Sequence, residues 1–241
     1  MKYKETIKKI NQFIRGRSKG LNGGVIGLSG GIDSTVVAYL SVRALGKEKV
    51  YGLILPYGKQ STEHGELIAK QLGIDYDIIN IKPMVDAFEK QAKYFEEELP
   101  KGNLMARVRM CLLYGAANKM GRLVLGTTNK SEMEIGYFTK HGDGAVDIEP
   151  IVHLYKTEVW KLAEELKEPE VPKEIIEKKP SAELWKGQTD ENELGFSYYT
   201  LDRYLKGETE GIEKKVIERI ENLRKSSWHK KQMPSNLEEK K

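Results

Sequence analysis

Apolar residues follow two alternating patterns along the chain, one with the spacing of a helix and one with the continuous run of a buried strand. Near the start, Tyr3, Ile7, Ile10 and Ile14 recur every three or four residues, which predicts an amphipathic helix ending within 16–20. The predicted strands begin at Gly24 or Val25 and then cover 50–55, 76–81 and 123–126, and the predicted helices cover 34–45, 61–72, 83–95, 103–120, 157–166 and 212–223. This alternation predicts an α/β fold with a doubly wound, mainly parallel sheet flanked by helices.

In a sheet of this kind, ligands bind beyond the carboxyl ends of the strands. The loop after the first predicted strand reads Gly27-Leu28-Ser29-Gly30-Gly31-Ile32-Asp33-Ser34. Its glycines let backbone N–H groups converge on an anion, and the start of the following helix adds the positive end of its dipole. The loop therefore predicts a phosphate site.

Asp33 makes this loop unusual, because most phosphate loops carry a lysine near this position and Asp33 stands just before the predicted helix. An aspartate repels phosphates unless a divalent cation lies between them, so the loop predicts magnesium together with a nucleotide. An ordinary strand-to-helix turn, with Asp33 or Ser34 as the helix cap, remains the alternative.

Composition limits the possible partners and the location. The 241 residues include 40 basic and 36 acidic side chains, a net charge of +4, which indicates a mixed surface and no nucleic-acid partner. No apolar run approaches the roughly 20 residues that cross a bilayer, so we expect a cytoplasmic protein with no membrane contact. The length predicts one domain over 1–241, with a basic C-terminal segment, 224–241. A solvated tail is the alternative reading of that segment.

Cys111 is the only cysteine, which excludes an intramolecular disulfide. Its apolar neighbours Met110, Leu112 and Leu113 predict a buried structural thiol.

A second polar segment, 126–150, follows the fourth predicted strand and reads GTTNKSEMEIGYFTKHGDGAVDIEP. Glu132 lies a few residues beyond the strand, so we expect it at the same sheet edge as Asp33, where the two carboxylates could complete a magnesium site. A solvated glutamate on a helix is the alternative.

These two segments resemble a known family. The order Ser29-Gly30-Gly31-Ile32-Asp33-Ser34 resembles the pyrophosphate-binding loop of the N-type ATP pyrophosphatases, which cleave ATP between its α and β phosphates. Within that superfamily, segment 126–150 resembles the signature of NAD synthetase. Four further stretches are similar to that family in the same order: 102–110, 179–184, 188–191 and 229–230. The resemblance implies an adenine nucleotide alpha hydrolase-like fold.

The resemblance also implies roles for individual residues. ATP would be held by Gly27, Leu28, Ser29, Gly30, Gly31, Ile32, Asp33, Ser34, Thr127, Lys156 and Ser181. Magnesium would be held by Asp33 and Glu132, and deamido-NAD would contact Arg107, Lys140, Asp147, His229 and Lys230. Arg109 is the alternative to Arg107, and Lys156 could instead be a surface lysine at a helix start. Thr128-Asn129-Lys130-Ser131 replaces the Asp-His-Ala-Ala common in bacterial members, so the contacts of this turn do not follow from the resemblance.

The implied reaction is the last step of NAD biosynthesis, in which ATP and ammonia convert deamido-NAD to NAD through an adenylated dinucleotide. It needs no protein nucleophile. Magnesium on Asp33 and Glu132, together with Lys156, would oppose the negative charge on the departing pyrophosphate. Hydrolysis of glutamine needs a cysteine nucleophile on an added domain, and this chain offers only Cys111 inside an apolar helix. We therefore expect free ammonia or a separate ammonia-supplying subunit as the nitrogen source. The family implies a homodimer. A tRNA-modifying enzyme and a non-catalytic nucleotide-binding regulator are the alternatives.

Overall fold

A computed structural model describes residues 2–167, 169–181, 187–234 and 237, and in these ranges four parallel strands form one sheet in the order β3-β2-β1-β4. The strands are β1 (Gly24–Gly27), β2 (Val50–Ile54), β3 (Asp75–Ile78) and β4 (Leu123–Leu125). Gly24 pairs with both Val50 and Leu123, so β1 lies between β2 and β4. The strand order advances from β1 to β3 and then returns to the other side of β1. This reversal creates a crevice between β1 and β4 at the carboxyl end of the sheet.

Helices connect the strands and continue after β4. They are α1 (Lys2–Arg17), α2 (Ile32–Leu45), α3 (Glu63–Leu72), α4 (Lys82–Gln91), α5 (Glu98–Met120), α6 (Lys130–Ile135), α7 (Lys156–Glu165), α8 (Lys173–Glu177), α9 (Asp190–Leu194), α10 (Tyr198–Leu205) and α11 (Lys214–Ser226). Short 3-10 turns cover Lys47–Lys49, Lys93–Phe95 and Trp228–Lys230. Across the described ranges, no helix combines the length and apolar composition needed to span a bilayer.

Both faces of the sheet are covered, which confirms the predicted doubly wound α/β fold. Successive strand residues point to opposite faces. Ile26 therefore enters a core with α1, α2, α3 and α7, while Val25 enters a second core with α4 and α5. Both residues are fully buried.

A third cluster packs α6, α9, α10 and α11 against one another beside the sheet. Its buried members include Ile135, Leu194, Tyr198, Leu201 and Ile220. This packing places the first turn of α6 and one face of α10 near the crevice.

Two of the differences between predicted and observed helix starts change the position of site residues. α2 begins at Ile32, so Asp33 lies inside the first turn and not before the helix. α5 begins at Glu98, which places 102–110 inside a long helix and not at its start. The start of α2 lies two residues before the predicted one and that of α5 five residues before it, in stretches that the apolar pattern alone does not mark as helix.

Cys111 is exposed, so the prediction of a buried thiol is wrong. The exposed residues Arg107, Cys111, Gly115 and Lys119 recur every four positions and form the outward face of α5. The apolar run around Cys111 wraps the helix, and only one side of it faces the sheet.

Candidate functional site

A cavity of about 400 Å³ opens at the carboxyl end of the sheet, at the crevice between β1 and β4. This volume lies within the range of ligand pockets. The predicted site residues that line it are Gly27, Leu28, Ser29, Gly31, Ile32, Asp33, Ser34, Thr127, Glu132, Lys156, Ser181 and Lys230. Residues from at least five separate parts of the chain therefore meet at the predicted sheet edge.

The loop between β1 and α2 is held in one shape by its own contacts. Gly30 has a φ of +72°, and a Cβ there would lie 2.4 Å from the Cβ of His64, so this position requires glycine. Ser29 Oγ accepts from the Gly31 N–H at 3.2 Å and lies 3.0 Å from Ser34 Oγ. Because Gly31 occupies the N-cap position and has no side chain, the first N–H groups of α2 are not capped by it. An anion in the cavity can use them.

Lys156 joins two carboxylates in the cavity. Its Nζ lies 2.5 Å from Asp33 Oδ2 and 3.4 Å from Glu132 Oε1. The lysine side chain is 3% exposed, while those of Asp33 and Glu132 are 16% and 15% exposed. The reading of Lys156 as a surface lysine is therefore wrong.

Burial and neighbouring charges shift the pKa values of this group. Burial favours the neutral amine of Lys156, but attraction to Asp33 and Glu132 outweighs it and raises the lysine pKa. Burial is also the main cause that raises the pKa of Glu132, with repulsion from Asp33 and Asp190 adding to it. A further cation beside Glu132 would stabilise its ionised form.

Asn129 ties the loops after β1 and β4 together. Its Oδ1 accepts from the Glu132 N–H at 3.1 Å, and Glu132 Oε2 accepts from the Asn129 N–H at 3.2 Å. This reciprocal cap leaves Glu132 Oε1 to face Lys156. Asn129 Nδ2 also donates to Asp33 Oδ1 at 3.1 Å. The turn whose contacts the sequence left open thus orients both predicted metal ligands.

The donor set fits magnesium. Magnesium is usually held by one or two carboxylates together with substrate phosphates and water. Asp33 and Glu132 provide two partly exposed carboxylates beside the phosphate loop. No three His, Cys, Asp or Glu side chains group into a metal site of their own in the described part of the chain. With Asp33 and Glu132 as ligands, a metal here would take its remaining ligands from nucleotide phosphates and water.

Glu149 supports the start of the loop after β4. A Cβ on Gly126 would lie 2.4 Å from Glu149 Oε2, so the glycine permits this close approach. The same oxygen accepts from the Thr128 N–H at 3.2 Å. Burial raises the pKa of Glu149 to about 7. Sequence reasoning did not single out this residue.

Lys230 and Lys140 hold the turn Trp228–Lys230 against the wall of the cavity. Lys230 Nζ donates to the carbonyl oxygens of Gly136 and Phe138, both at 2.8 Å. Lys140 Nζ donates to the His229 carbonyl at 2.7 Å. Burial lowers the pKa of Lys230. Residues 228–230 are therefore docked and are not a solvated tail, while 235, 236 and 238–241 lie outside the described residues.

The two arginines of α5 face different ways. Arg109 lines the cavity and donates to the Leu55 carbonyl at 3.0 Å and to Gln60 Oε1 at 3.2 Å. Arg107 lies on the outward face and donates to the Lys140 carbonyl at 3.3 Å. The structure brings Arg109 to the cavity, although the sequence favoured Arg107.

Five of the predicted site residues do not line the cavity: Gly30, Arg107, Lys140, Asp147 and His229. Asp147 accepts from the Val124 N–H at 2.7 Å and from the Tyr114 hydroxyl at 3.3 Å, so its carboxylate supports the middle of β4.

Sequence reasoning assigned no role to Asp190, which lines the cavity, or to Tyr198, which is buried beside Lys156. The Tyr198 hydroxyl donates to Asp190 Oδ2 at 3.0 Å, and its ring lies 5.0 Å from Lys156 Nζ. Burial raises the pKa of Asp190. Asp190 belongs to the stretch 188–191 that resembles the family, whereas nothing in the sequence distinguishes Tyr198 from a core residue.

Ser181 lies at the cavity wall, where its hydroxyl donates to the Gln188 carbonyl at 2.7 Å. The rest of the flagged stretch 179–184 that follows it, from 182 onward, lies outside the described residues.

Known proteins match this chain along nearly its whole length. Residues 5–234 match the family model described as NAD synthase. The NH3-dependent NAD+ synthetase of Pyrococcus horikoshii is 51% identical over 245 residues, covering 96% of this chain and 93% of the relative. The protein of the same name from Methanocaldococcus jannaschii is 49% identical over 253 residues, covering 97% and 96%.

Solved structures agree with these sequence matches. The NMN synthetase from Francisella tularensis has a TM-score of 0.91 and 38% identity, covering 98% of each chain. The NH3-dependent NAD synthetase from Campylobacter jejuni has a TM-score of 0.83 and 33% identity, covering 99% of this chain and all of that one. The extent of these matches and the site geometry lead to one conclusion: this chain belongs to the NAD synthase family.

Proposed function

We propose that this chain is a ligase that converts deamido-NAD to NAD, the final step of NAD biosynthesis, with ammonia as the nitrogen source and ATP as co-substrate. The observation that carries this proposal is the 51% identity to an NH3-dependent NAD+ synthetase over nearly the whole of both chains. The cavity adds support, because a phosphate loop, two carboxylates and a lysine meet there.

The reaction follows from the chemistry of the nicotinate carboxylate, which is a poor electrophile. One of its oxygens attacks the α-phosphorus of ATP, which forms a dinucleotide adenylate and releases pyrophosphate. Ammonia then attacks the acyl carbon, loses a proton and expels AMP. The protein has no covalent step to perform and contributes position and charge.

The N–H groups of 27–34 bind the phosphates of ATP, and Thr127 and Ser181 contact the nucleotide in the same cavity. Lys156 places its ammonium group where negative charge develops on the departing pyrophosphate. Asp33 and Glu132 would hold magnesium, which supplies further positive charge to the phosphates when it is bound.

Deamido-NAD binds beside ATP. Lys230 lines the cavity, and Arg109 is the cavity-facing alternative to Arg107. Contacts from Arg107, Lys140, Asp147 and His229 require a dinucleotide that extends past the cavity. A homodimer with the dinucleotide at its interface would satisfy this requirement.

The nitrogen source is ammonia, free or delivered by a separate subunit. Hydrolysis of glutamine needs an activated cysteine. Cys111 lies on the outward face of α5 and not among the cavity residues. The reaction belongs in the cytoplasm, where we expect this protein.

A second candidate is the amidation of nicotinate mononucleotide to NMN. The observation that favours it is the TM-score of 0.91 to the NMN synthetase from Francisella tularensis. The two reactions share the carboxylate, the adenylation and the ammonia step, and they differ in whether an adenosine monophosphate half is present on the acceptor.

The test is pyrophosphate release by the purified full-length chain with ATP and magnesium. Deamido-NAD, nicotinate mononucleotide and no acceptor are compared, each with ammonium or glutamine, and the nicotinamide product is identified by mass spectrometry. We expect the highest kcat/KM with deamido-NAD and ammonium, and no amidation with glutamine alone. A higher kcat/KM for the mononucleotide would establish the second candidate. Cys111→Ser is the control and should retain full activity with ammonium. Glutamine-driven turnover that is lost in Cys111→Ser would identify Cys111 as the nucleophile for glutamine hydrolysis.

A further inference from the structure

Asp202 is a buried carboxylate that lies outside the cavity but connects two of the helices that carry the site. It is 1% exposed and lies on α10. Its Oδ1 accepts a hydrogen bond from the Ser131 hydroxyl, and its Oδ2 accepts from the Thr157 N–H at 2.9 Å. Ser131 precedes Glu132, and Thr157 follows Lys156. Each oxygen of Asp202 therefore holds a neighbour of a site residue.

Ser131 closes this arrangement. Its Oγ accepts from the Lys156 N–H at 2.9 Å while the hydroxyl donates to Asp202. The first two N–H groups of α7, at Lys156 and Thr157, are thus bound by side chains from α6 and α10. N–H groups at a helix start have no partner within the helix, so their acceptors fix where the helix begins. Here they fix the backbone from which Lys156 extends.

The same face of α10 also holds the other end of Lys156. Tyr198 lies one turn before Asp202, so the two side chains share a face. The Tyr198 ring lies 5.0 Å from Lys156 Nζ, and its hydroxyl lies 3.4 Å from Glu132 Oε1. Helix α10 therefore contacts the backbone next to Lys156, at the Thr157 N–H, and the ammonium group of Lys156 itself.

We propose that Asp202 is a positioning residue, which sets the first turns of α6 and α7 so that Lys156 lies between Asp33 and Glu132. Its effect on turnover rests on the proposed function. Its effect on the place of Lys156 does not, because the contacts involve this chain alone.

The distinction between positioning and stability can be tested with matched variants. In Asp202→Asn one acceptor oxygen is lost, so the Ser131 hydroxyl and the Thr157 N–H can no longer both be bound by oxygen. Ser131→Ala removes the bonds of the Ser131 hydroxyl to the Lys156 N–H and to Asp202, and it leaves the bond between Asp202 and the Thr157 N–H in place. Ser197→Ala is the control, because Ser197 caps α10 through the Thr200 N–H at 3.1 Å and touches neither α6 nor α7 through that bond. All three are compared with the wild type by thermal unfolding.

The first readout is the split between kcat and KM for pyrophosphate release. A displacement of about 1 Å costs on the order of 100-fold in rate, so we expect kcat to fall roughly 10- to 100-fold in Asp202→Asn with little change in the KM for ATP. Ser131→Ala should change kcat in the same direction by less. Ser197→Ala should lower the melting temperature and retain kcat. Equal kcat in Asp202→Asn and Ser197→Ala would overturn the proposal.

The second readout needs no substrate. The wild type and the variants are treated with an amine-reactive ester, and labelling of Lys156 is measured by peptide mass spectrometry relative to exposed Lys161 on the same helix. We expect faster labelling of Lys156 in Asp202→Asn and Ser131→Ala, and wild-type labelling in Ser197→Ala. If Asp202→Asn does not fold, Ser131→Ala decides, and wild-type labelling and kcat in that variant overturn the proposal. A wild type that releases no pyrophosphate with deamido-NAD would contradict the proposed function and leave the labelling result valid.

Discussion

Lys156 Nζ lies 2.5 Å from Asp33 Oδ2, although 123 positions separate the two residues in the chain. Asp33 is in the first turn of α2, and Lys156 is the first residue of α7. Two helix starts therefore face one another across the cavity. The positive end of α2 and the ammonium group of Lys156 place positive charge where phosphates would bind.

Replacing Lys156 by methionine should lower kcat for pyrophosphate release by about 100- to 1,000-fold, the usual loss when a charge-stabilising donor is removed. The side chain keeps its length and loses its charge, and the two carboxylates then repel one another. Turnover of Lys156→Met is compared with that of Lys161→Met, which changes an exposed lysine of the same helix. Similar turnover in the two variants would contradict the assignment.

The carboxylates should be needed for magnesium. We expect Asp33→Asn and Glu132→Gln to lose pyrophosphate release at ordinary magnesium and to recover part of it at higher magnesium, because each variant removes one charged ligand. The measurement is initial rate against magnesium concentration. Glu164→Gln, on the exposed side of α7, serves as the control. Normal turnover in Asp33→Asn would remove Asp33 from the metal site.

Glu149 should make stability fall as pH rises. Its pKa is raised from 4.5 to about 7 by burial, so the folded state binds its proton more strongly than the unfolded state does. Stability attributable to this group is present at acid pH and is lost as pH rises from 4.5 to 7. The loss is on the order of 2 to 3 kcal/mol after a discount for partial exposure.

Glu149→Gln tests this dependence because it removes the titration and keeps an acceptor for the Thr128 N–H. Urea unfolding at pH 5 and pH 8 is compared between the variant and the wild type. The variant should gain stability relative to the wild type at pH 8 and not at pH 5. The same pH slope in both proteins would exclude Glu149 as its source.

Lys230 should matter more for deamido-NAD than for ATP. Its ammonium group holds the carbonyls of Gly136 and Phe138 at the cavity wall. We expect Lys230→Met to weaken deamido-NAD binding about tenfold more than ATP binding, a difference of roughly 1.4 kcal/mol. Titration calorimetry with each ligand measures it, with exposed Lys225→Met as the control. Equal loss for both ligands would point to general damage of the fold.

The sequence alone predicted the alternation of strands and helices, the covered parallel sheet and the glycine loop after β1. These features depend on local periodicity and on backbone conformations that glycine permits, so neighbouring residues carry the information. The positions of Asp33 and Glu132 at one sheet edge also followed, because carboxyl ends of parallel strands share an edge. The segments 27–34 and 126–150 led to the correct family.

The local sequence pattern gave wrong predictions where packing decides whether a residue is exposed and which way its side chain points. Cys111 has apolar neighbours yet lies on the outward face of α5, because the sheet covers only one side of that helix. The orientation of α5 about its axis also directs Arg109 to the cavity and Arg107 away from it. A helix with apolar residues all around does not reveal from its sequence which side will be covered.

The contacts of Asn129, Tyr198 and Asp202 were decided by the tertiary structure alone. Each residue is ordinary in its local sequence and acquires a role through a partner far along the chain, such as Ser131 for Asp202. These pairings depend on how α6, α7 and α10 pack beside the sheet. The sequence by itself therefore determined the strands, the helices that cover the sheet, the glycine loop after β1 and the family, whereas only the packing of distant helices decided how Lys156 comes to lie between its two carboxylates.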